Sequence, residues 1–111
     1  MRLLALALLF AALALSQHAS QFAPTVRHKV EPEYTDEARK AHIQGTVVLS
    51  AEIGADGRAH DIKVVEGRGL GYGLDEKAVE CLKQWEFLPG VKDGELVAVA
   101  ATVEILFRMD Q

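Results

Sequence analysis

The four histidines of this sequence are candidate metal ligands, because imidazole is a common zinc ligand. They are His18, His28, His42 and His60, and no two of them have the i, i+4 spacing that places two ligands on one helix face. Asp56 and Asp61 lie close to His60, but they flank a predicted turn and no second ligand group accompanies them. We therefore expect solvated turn residues at this point, with no metal and no cofactor.

A glycine-rich stretch from Gly67 to Gly73 lies between a predicted strand and a predicted helix, where phosphate-binding loops occur. The dinucleotide-binding spacing requires glycine where Tyr72 stands, and no Gly-Lys-Ser/Thr sequence follows. The chain also has a net charge of −4, which disfavours polyphosphate. The sequence therefore predicts a mobile linker here, with no small-molecule substrate.

Neither candidate nucleophile has the surroundings that catalysis requires. Ser50 lies in a predicted strand without the Gly-x-Ser-x-Gly elbow, and nothing in the sequence places a histidine against it. Cys81 is the single cysteine, so no internal disulfide can form, and it falls on the apolar stripe of a predicted helix. We expect Cys81 to be a small buried residue and the protein not to be an enzyme.

The first residues have the layout of an export signal. Arg2 is followed by the apolar run Leu3 to Leu15, and Ala14-Leu15-Ser16 offers small residues for a signal peptidase. This run is shorter than the about 20 apolar residues that cross a membrane. We predict a signal peptide over residues 1–16 and a flexible lead-in over 17–31; retention of the leader as a membrane anchor is the alternative.

The charge and length of the chain exclude further classes of function. A chain of 111 residues forms one small domain. Cleavage of the leader would remove Arg2 and leave the chain more acidic still. No basic face for nucleic acid and no polybasic segment for anionic lipid is expected.

The remaining sequence predicts five elements in the order helix, strand, strand, helix, strand. The first helix covers Tyr34 to Ala41 with Thr35 as its N-cap, and the second begins at the N-cap Asp75 and stops at Pro89-Gly90. Alternating apolar residues predict the strands, and the sequence 54–57 predicts a hairpin turn between the first two. Two amphipathic helices need one apolar sheet face, which predicts a two-layer α+β domain with about three antiparallel strands. The expected core residues are Val47, Leu49, Ile53, Val64, Leu82, Trp85, Val103 and Ile105.

The last predicted strand runs from Val97 to Phe107 and is the best candidate for a binding element. It contains no proline, and Glu104 is its only charge. By its place in the order it is an edge strand, and an unprotected edge recruits other strands. The sequence leaves two interpretations equally open, namely capture of a partner peptide by strand addition and a central, fully paired strand.

An ordered set of short motifs gives a family resemblance over residues 30–107. The motifs are Pro32-Glu33-Tyr34, Ala38-Arg39, Gly45, Asp56-Gly57, Leu74-Asp75, Ala78 and Trp85-Glu86-Phe87-Leu88-Pro89-Gly90. This set resembles the C-terminal domain of TonB-family energy transducers, which implies a TonB C-terminal-like domain over residues 32–108. The sequence departs from the family pattern at Thr35, where proline is usual, and at Leu96, where many relatives have proline before the valine.

The resemblance implies a periplasmic domain that captures the extended box peptide of a TonB-dependent outer-membrane transporter. The residues it marks as contacts are Val97, Val99, Ala101, Val103 and Ile105 in the last strand, with Tyr34, Arg39 and Gln44 around the first helix. It assigns Trp85, Phe87 and Pro89 a structural role. Retention of the leader would instead give an inner-membrane-anchored protein that faces the periplasm. The competing hypothesis is an interaction module outside transport, either a homodimer or a cell-wall-associated domain.

Overall fold

The computed structural model describes residues 24–109. The predicted signal peptide and the first part of the predicted lead-in lie outside the described residues. Within the range 24–109, no helix is long and apolar enough to cross a membrane.

The described chain contains seven strands and two helices. In chain order they are β1 (Thr25–His28), α1 (Asp36–Lys40), β2 (Gly45–Ile53), β3 (Ala59–Val64), α2 (Leu74–Gln84), β4 (Glu86–Leu88), β5 (Gly90–Lys92), β6 (Glu95–Val97) and β7 (Val99–Phe107). β3, β2 and β7 form a three-stranded antiparallel sheet in that order. The predicted α+β class with about three main strands is therefore confirmed. Two smaller pairs, β1 with β4 and β5 with β6, complete the fold.

The turn between β2 and β3 forms as its sequence predicts. Gly57 has φ 78°, a conformation that glycine adopts without steric cost. The Asp56 carboxylate accepts a hydrogen bond of 3.0 Å from the Arg58 amide, two residues further on. This bond, followed by the interaction with His60, holds the pKa of Asp56 below its usual value. The local turn chemistry thus fixes where β2 ends and β3 begins.

The two helices begin differently from one another. Thr35 caps α1 as predicted, since its Oγ1 accepts a hydrogen bond of 3.1 Å from the Ala38 amide. Asp75, in contrast, is not the N-cap of α2, because the helix begins at Leu74 and its N-cap is Gly73. The Asp75 carboxylate instead accepts the amides of Leu70 and Gly71 at 2.8 and 3.2 Å. It therefore fastens the glycine-rich loop to the first turn of the helix.

One apolar core lies between the sheet and the helices. Six of the eight predicted core residues are buried, while Val64 and Val103 are partly buried and pack against them. The sequence analysis did not name Phe107 or Leu74 as core residues, although both are among the largest fully buried side chains. Small residues let α1 and α2 approach the sheet, since Ala38 and Ala78 have no exposed surface.

Three further predictions about the elements are wrong. Residues 25–28, predicted as part of a flexible lead-in, form β1 and pair with β4. α2 ends at Gln84, well before Pro89-Gly90, because the chain turns into β4 directly after Trp85. The predicted last strand is broken at Ala98, so Val97 belongs to β6 and pairs with Gly90.

The indole of Trp85 joins the amino-terminal segment to the core. Its Nε1–H donates a hydrogen bond of 3.0 Å to the carbonyl of Val30, and the Cys81 thiol donates to the same oxygen at 3.0 Å. The Lys29 ammonium lies 5.2 Å from the centre of the indole ring, within cation–π range. We call residues 29–33 the strap, because they cross from β1 to α1 along the end of the sheet.

Replacement of Trp85 is expected to separate the packing of the ring from its hydrogen bond. Trp85→Ala should lower the free energy of unfolding by about 3–5 kcal/mol, because it empties a buried aromatic site. Trp85→Phe keeps a ring but leaves the Val30 carbonyl without the indole donor, and should cost about 1–3 kcal/mol. Urea denaturation followed by circular dichroism measures both values. An unchanged midpoint for Trp85→Ala would show that the ring is not part of the core.

Cys81 is expected to react slowly in the native protein. The thiol is 3% exposed, and its burial is the main cause of a pKa above the usual cysteine value. Because the thiolate is the reactive form, a raised pKa means less of it at any given pH below that pKa. Alkylation at pH 8 should therefore be on the order of tenfold or more slower in the native protein than in denaturing urea. Equal rates, measured by mass spectrometry, would contradict this burial.

Candidate functional site: the open edge of the sheet

The three-stranded sheet has two edges, and β3 forms the less accessible one. The pairing of β2 with β3 shifts register between Ser50 and Glu52, and Asp61 in β3 has φ 49°. Together these features mark a β-bulge, which bends a strand away from a partner. The exposed side chain of Lys63 adds a charge on the same strand. Both devices discourage a further strand from pairing with β3.

The edge formed by β7 has neither a bulge nor a proline. β7 pairs with β2 through nine consecutive residue pairs, from Gly45 with Phe107 to Ile53 with Val99. Among residues 24–109, β2 is the only strand that pairs with β7. The other side of β7 is therefore an open edge, as the order of the elements predicts.

The direction of the main-chain groups in β2 follows from hydrogen bonds on its β3 side. The Val48 amide donates to the Arg68 carbonyl at 3.1 Å, and the Val48 carbonyl accepts from the Val65 amide at 2.9 Å. Gly54, six residues later, donates to Arg58 at 2.9 Å on the same side. Because successive residues of a strand turn their main-chain groups to opposite sides, Val47 and Leu49 turn theirs toward β7.

The pairing register between β2 and β7 then determines which residues of β7 direct their main-chain groups to β2. Val47 lies opposite Ile105 and Leu49 opposite Val103, so the main-chain groups of these two β7 residues are used by β2. The groups that point to the open edge belong to the alternate residues. We call these residues the outward set: Ala100, Thr102, Glu104 and Leu106.

The outward set differs from the contact residues that the sequence analysis names. Val99, Ala101, Val103 and Ile105 direct their main-chain groups to β2 and their side chains to the face that carries the core. Val97 lies outside β7 altogether. As contact residues all five stay a prediction, but the free hydrogen-bonding groups of β7 belong to their neighbours.

A groove runs between the carboxyl end of the β7 edge and the strap. It has a volume of about 640 Å³ and is lined by residues 29–32, Tyr34, Trp85 and residues 104–108. Charges of both signs surround it, including Lys29, Glu31 and Arg108. Its mixture of apolar and polar walls suits an extended peptide better than a small charged ligand.

The structure brings Tyr34, Arg39 and Gln44 to this same end of β7. The Tyr34 hydroxyl donates to the Ile43 carbonyl at 2.8 Å, and its ring meets Phe107 edge-to-face at 5.7 Å. The Arg39 guanidinium lies 5.6 Å from the centre of the Tyr34 ring. The Gln44 side-chain carbonyl accepts the Met109 amide at 2.8 Å. Their contact with a partner stays a prediction, but their position near the carboxyl end of β7 is a feature of the structure.

The strap is the part of the site that sequence reasoning missed. Val30 and Pro32 form one wall of the groove, yet the sequence predicts a linker at Val30 and marks Pro32 only as part of a family motif, with no contact assigned to either. The only signal was the β-branched pair Thr25-Val26, which favours a strand just before the strap.

Metal binding would require a cluster of side chains that could hold the ion. Within residues 24–109, no group of three or more histidine, cysteine or acidic side chains is placed to hold a metal ion. The neighbouring pair of Asp56 and His60 has Oδ2 and Nε2 3.0 Å apart and lies on the exposed turn. The interaction between these two side chains stabilises the turn.

Comparison with known proteins identifies the family. Residues 30–109 match the family described as Gram-negative bacterial TonB protein C-terminal. Protein TonB of Vibrio cholerae is 34% identical over 85 residues, which cover 77% of this chain and 34% of that protein. Protein tonB2 of Pseudomonas aeruginosa is 30% identical over 83 residues, covering 75% of this chain and 30% of that protein. The chain thus spans about a third of the length of these curated relatives.

A solved structure supports the same assignment. The solution NMR structure of the Pseudomonas aeruginosa TonB CTD superimposes with a TM-score of 0.63 at 28% sequence identity, covering 79% of this chain and 88% of that one. The aligned part therefore includes most of the fold described above. The chain belongs to the TonB C-terminal family.

Proposed function

We propose that this domain captures an extended segment of an outer-membrane transporter by adding it as a strand to the open edge of β7. The observation that carries the proposal is the outward set, whose amide and carbonyl groups have no strand partner among the described residues. Strand addition satisfies such groups and needs only extended main chain from the partner. The transporter is the partner that family membership supports.

The geometry at the carboxyl end of β7 fits this role. The groove beside Glu104 and Leu106 continues the open edge and has the strap as its second wall. A strand added beside β7 would lie about 4.8 Å from it and enter this groove. Its alternate side chains would meet the half-buried side chains of Ala101 and Val103 on the core face.

In this proposal the domain works in the periplasm, because the predicted signal peptide would direct its export. It would be the receptor part of TonB-dependent transport, in which the captured segment links the outer-membrane transporter to the transport machinery. Because the chain covers about a third of the length of its curated relatives, the capture step is the part of the process that its fold supports.

Proline substitution within β7 tests the proposal at the level of the main chain. Thr102→Pro removes an amide that points to the open edge, a position at which edge strands tolerate proline. We expect a folded domain that no longer binds synthetic box peptides of outer-membrane transporters. Ala101→Pro removes an amide that β2 uses, and should instead destabilise the sheet by about 3 kcal/mol or more. Isothermal titration calorimetry and thermal denaturation measure the two effects.

Thr102→Ala is the matched control, because it keeps the amide and changes only the side chain. It should bind the box peptides about as well as the unchanged protein. If Thr102→Pro fails to fold, Ala100→Pro provides a second outward position at the start of the same edge. Undiminished peptide affinity in a folded outward-set proline variant would refute strand addition at β7. A concentration-dependent dimer that binds no box peptide would favour the homodimer instead.

A further inference from the structure

The side chains of the outward set form a row on the sheet face opposite the core. Glu104 is the only charged side chain of β7 and is exposed. Among residues 24–109, its carboxylate takes part in no ion pair or hydrogen bond. Its neighbours along the row are Thr102 and Leu106, and its partner on β2 is Val48. A negative charge without an ion-pair partner among the described residues therefore lies toward the carboxyl end of the open edge.

A second carboxylate lies on the same face, one strand further in. Glu52 of β2 lies opposite Ala100 in the register and is exposed. The small side chains of Ser50, Ala100 and Thr102 leave a shallow depression of about 450 Å³ beside it. Lys63 borders this depression from β3, opposite Ser50, and forms no ion pair with Glu52.

An added strand would place every second side chain on this face. A residue directly opposite Glu104 would have its Cβ about 4.5–5.5 Å away, and diagonal neighbours would lie about 7–8 Å away. The flexible stem of lysine or arginine spans such distances along an apolar surface. The small residues of the depression leave the path from the added strand toward Glu52 open.

We propose that the segment captured at β7 carries lysine or arginine on the face that meets Glu104, and that Glu104 selects both this charge and the register of the segment. This inference rests on the proposed function, since it requires a strand to be added at β7. A one-residue slip of the segment would move its basic side chain to the core face, away from both carboxylates. The main chain would thus supply the binding energy and Glu104 the preference among segments.

A charge on an edge strand has another common use, as a general barrier against pairing. A barrier acts on every incoming strand, because it opposes burial of the carboxylate itself. Selection acts through the sign of the partner charge. The two uses therefore predict different responses when the charge of the peptide is varied.

Three peptides that differ at one position test the inference. Each is a soluble nine-residue peptide of alternating valine and threonine, with lysine, glutamine or glutamate at the central residue of the threonine face. For the unchanged protein we expect affinity to fall in the order lysine, glutamine, glutamate, by about 1.5-fold to fivefold at each step. Glu104→Gln should make the three affinities nearly equal, and Glu104→Lys should reverse their order. Fluorescence anisotropy at low and high salt measures the affinities, and salt should compress the differences.

Glu66→Gln is the matched control, because it makes the same charge change at an exposed residue beyond the end of β3. It should leave the order and spacing of the three affinities unchanged. Equal binding of all three peptides by the unchanged protein would overturn the inference while supporting strand capture. A uniform gain of affinity in Glu104→Gln would overturn it in favour of a general barrier. Binding of none of the three peptides and of no box peptide would overturn both this inference and the proposed function.

Discussion

The antiparallel pairing of β2 with β7 is the constraint on which the rest of the structure depends. It runs through nine residue pairs without a bulge, so one alternation holds along the whole of β7. Residues such as Ile105 place their side chains in the core and their main-chain groups toward β2. In residues such as Glu104, the side chain points away from the core and the main-chain groups point away from β2. A shift of one residue would bury Glu104 and expose Ile105, so the apolar core itself protects the register.

The second constraint is the attachment of the strap to the core. β1 has four exposed residues and, among the described strands, pairs only with the short strand β4, which gives it little stability of its own. The Val30 carbonyl adds a fixed point, because it accepts from both Trp85 and Cys81 within the core. The groove beside β7 consequently has one wall that belongs to the sheet and one that is held by the Val30 carbonyl together with the surface ion pair of Glu33 with Lys77. The indole therefore contributes both to stability and to the shape of the site.

Features that depend on local chemistry could be predicted from the sequence, and features that depend on distant pairing could not. The cap at Thr35, the turn at Asp56 and the burial of the apolar residues of β2 each follow from a few neighbouring residues. All residues of β1 are exposed, so its sequence has no apolar alternation from which its pairing with β4 could be predicted. The break at Ala98 is hidden within an unbroken alternation of valine and alanine.

The candidate site shows the same division. The sequence located the strand that forms the open edge, since the absence of proline and the near absence of charge mark β7 as an unprotected edge. It did not reveal which residues turn their main-chain groups outward. Apolar alternation reports the face of a side chain, whereas the lateral direction of the amide depends on which side the neighbouring strand β2 lies. That information appears only with the register and with the hydrogen bonds of Val48 on the far side of β2.

In the proposed capture, the division of β7 into two sets of residues would also separate affinity from selectivity. A ladder of amides and carbonyls accepts any extended segment that lacks proline, so it distinguishes poorly between sequences. Preference must then come from side chains that flank the added strand, and on the outer face of β7 only Glu104 is charged. A single exposed carboxylate changes affinity by a small factor, which orders competing segments without excluding any of them. A domain built in this way would bind several extended segments, and the charge of Glu104 would determine their relative affinities.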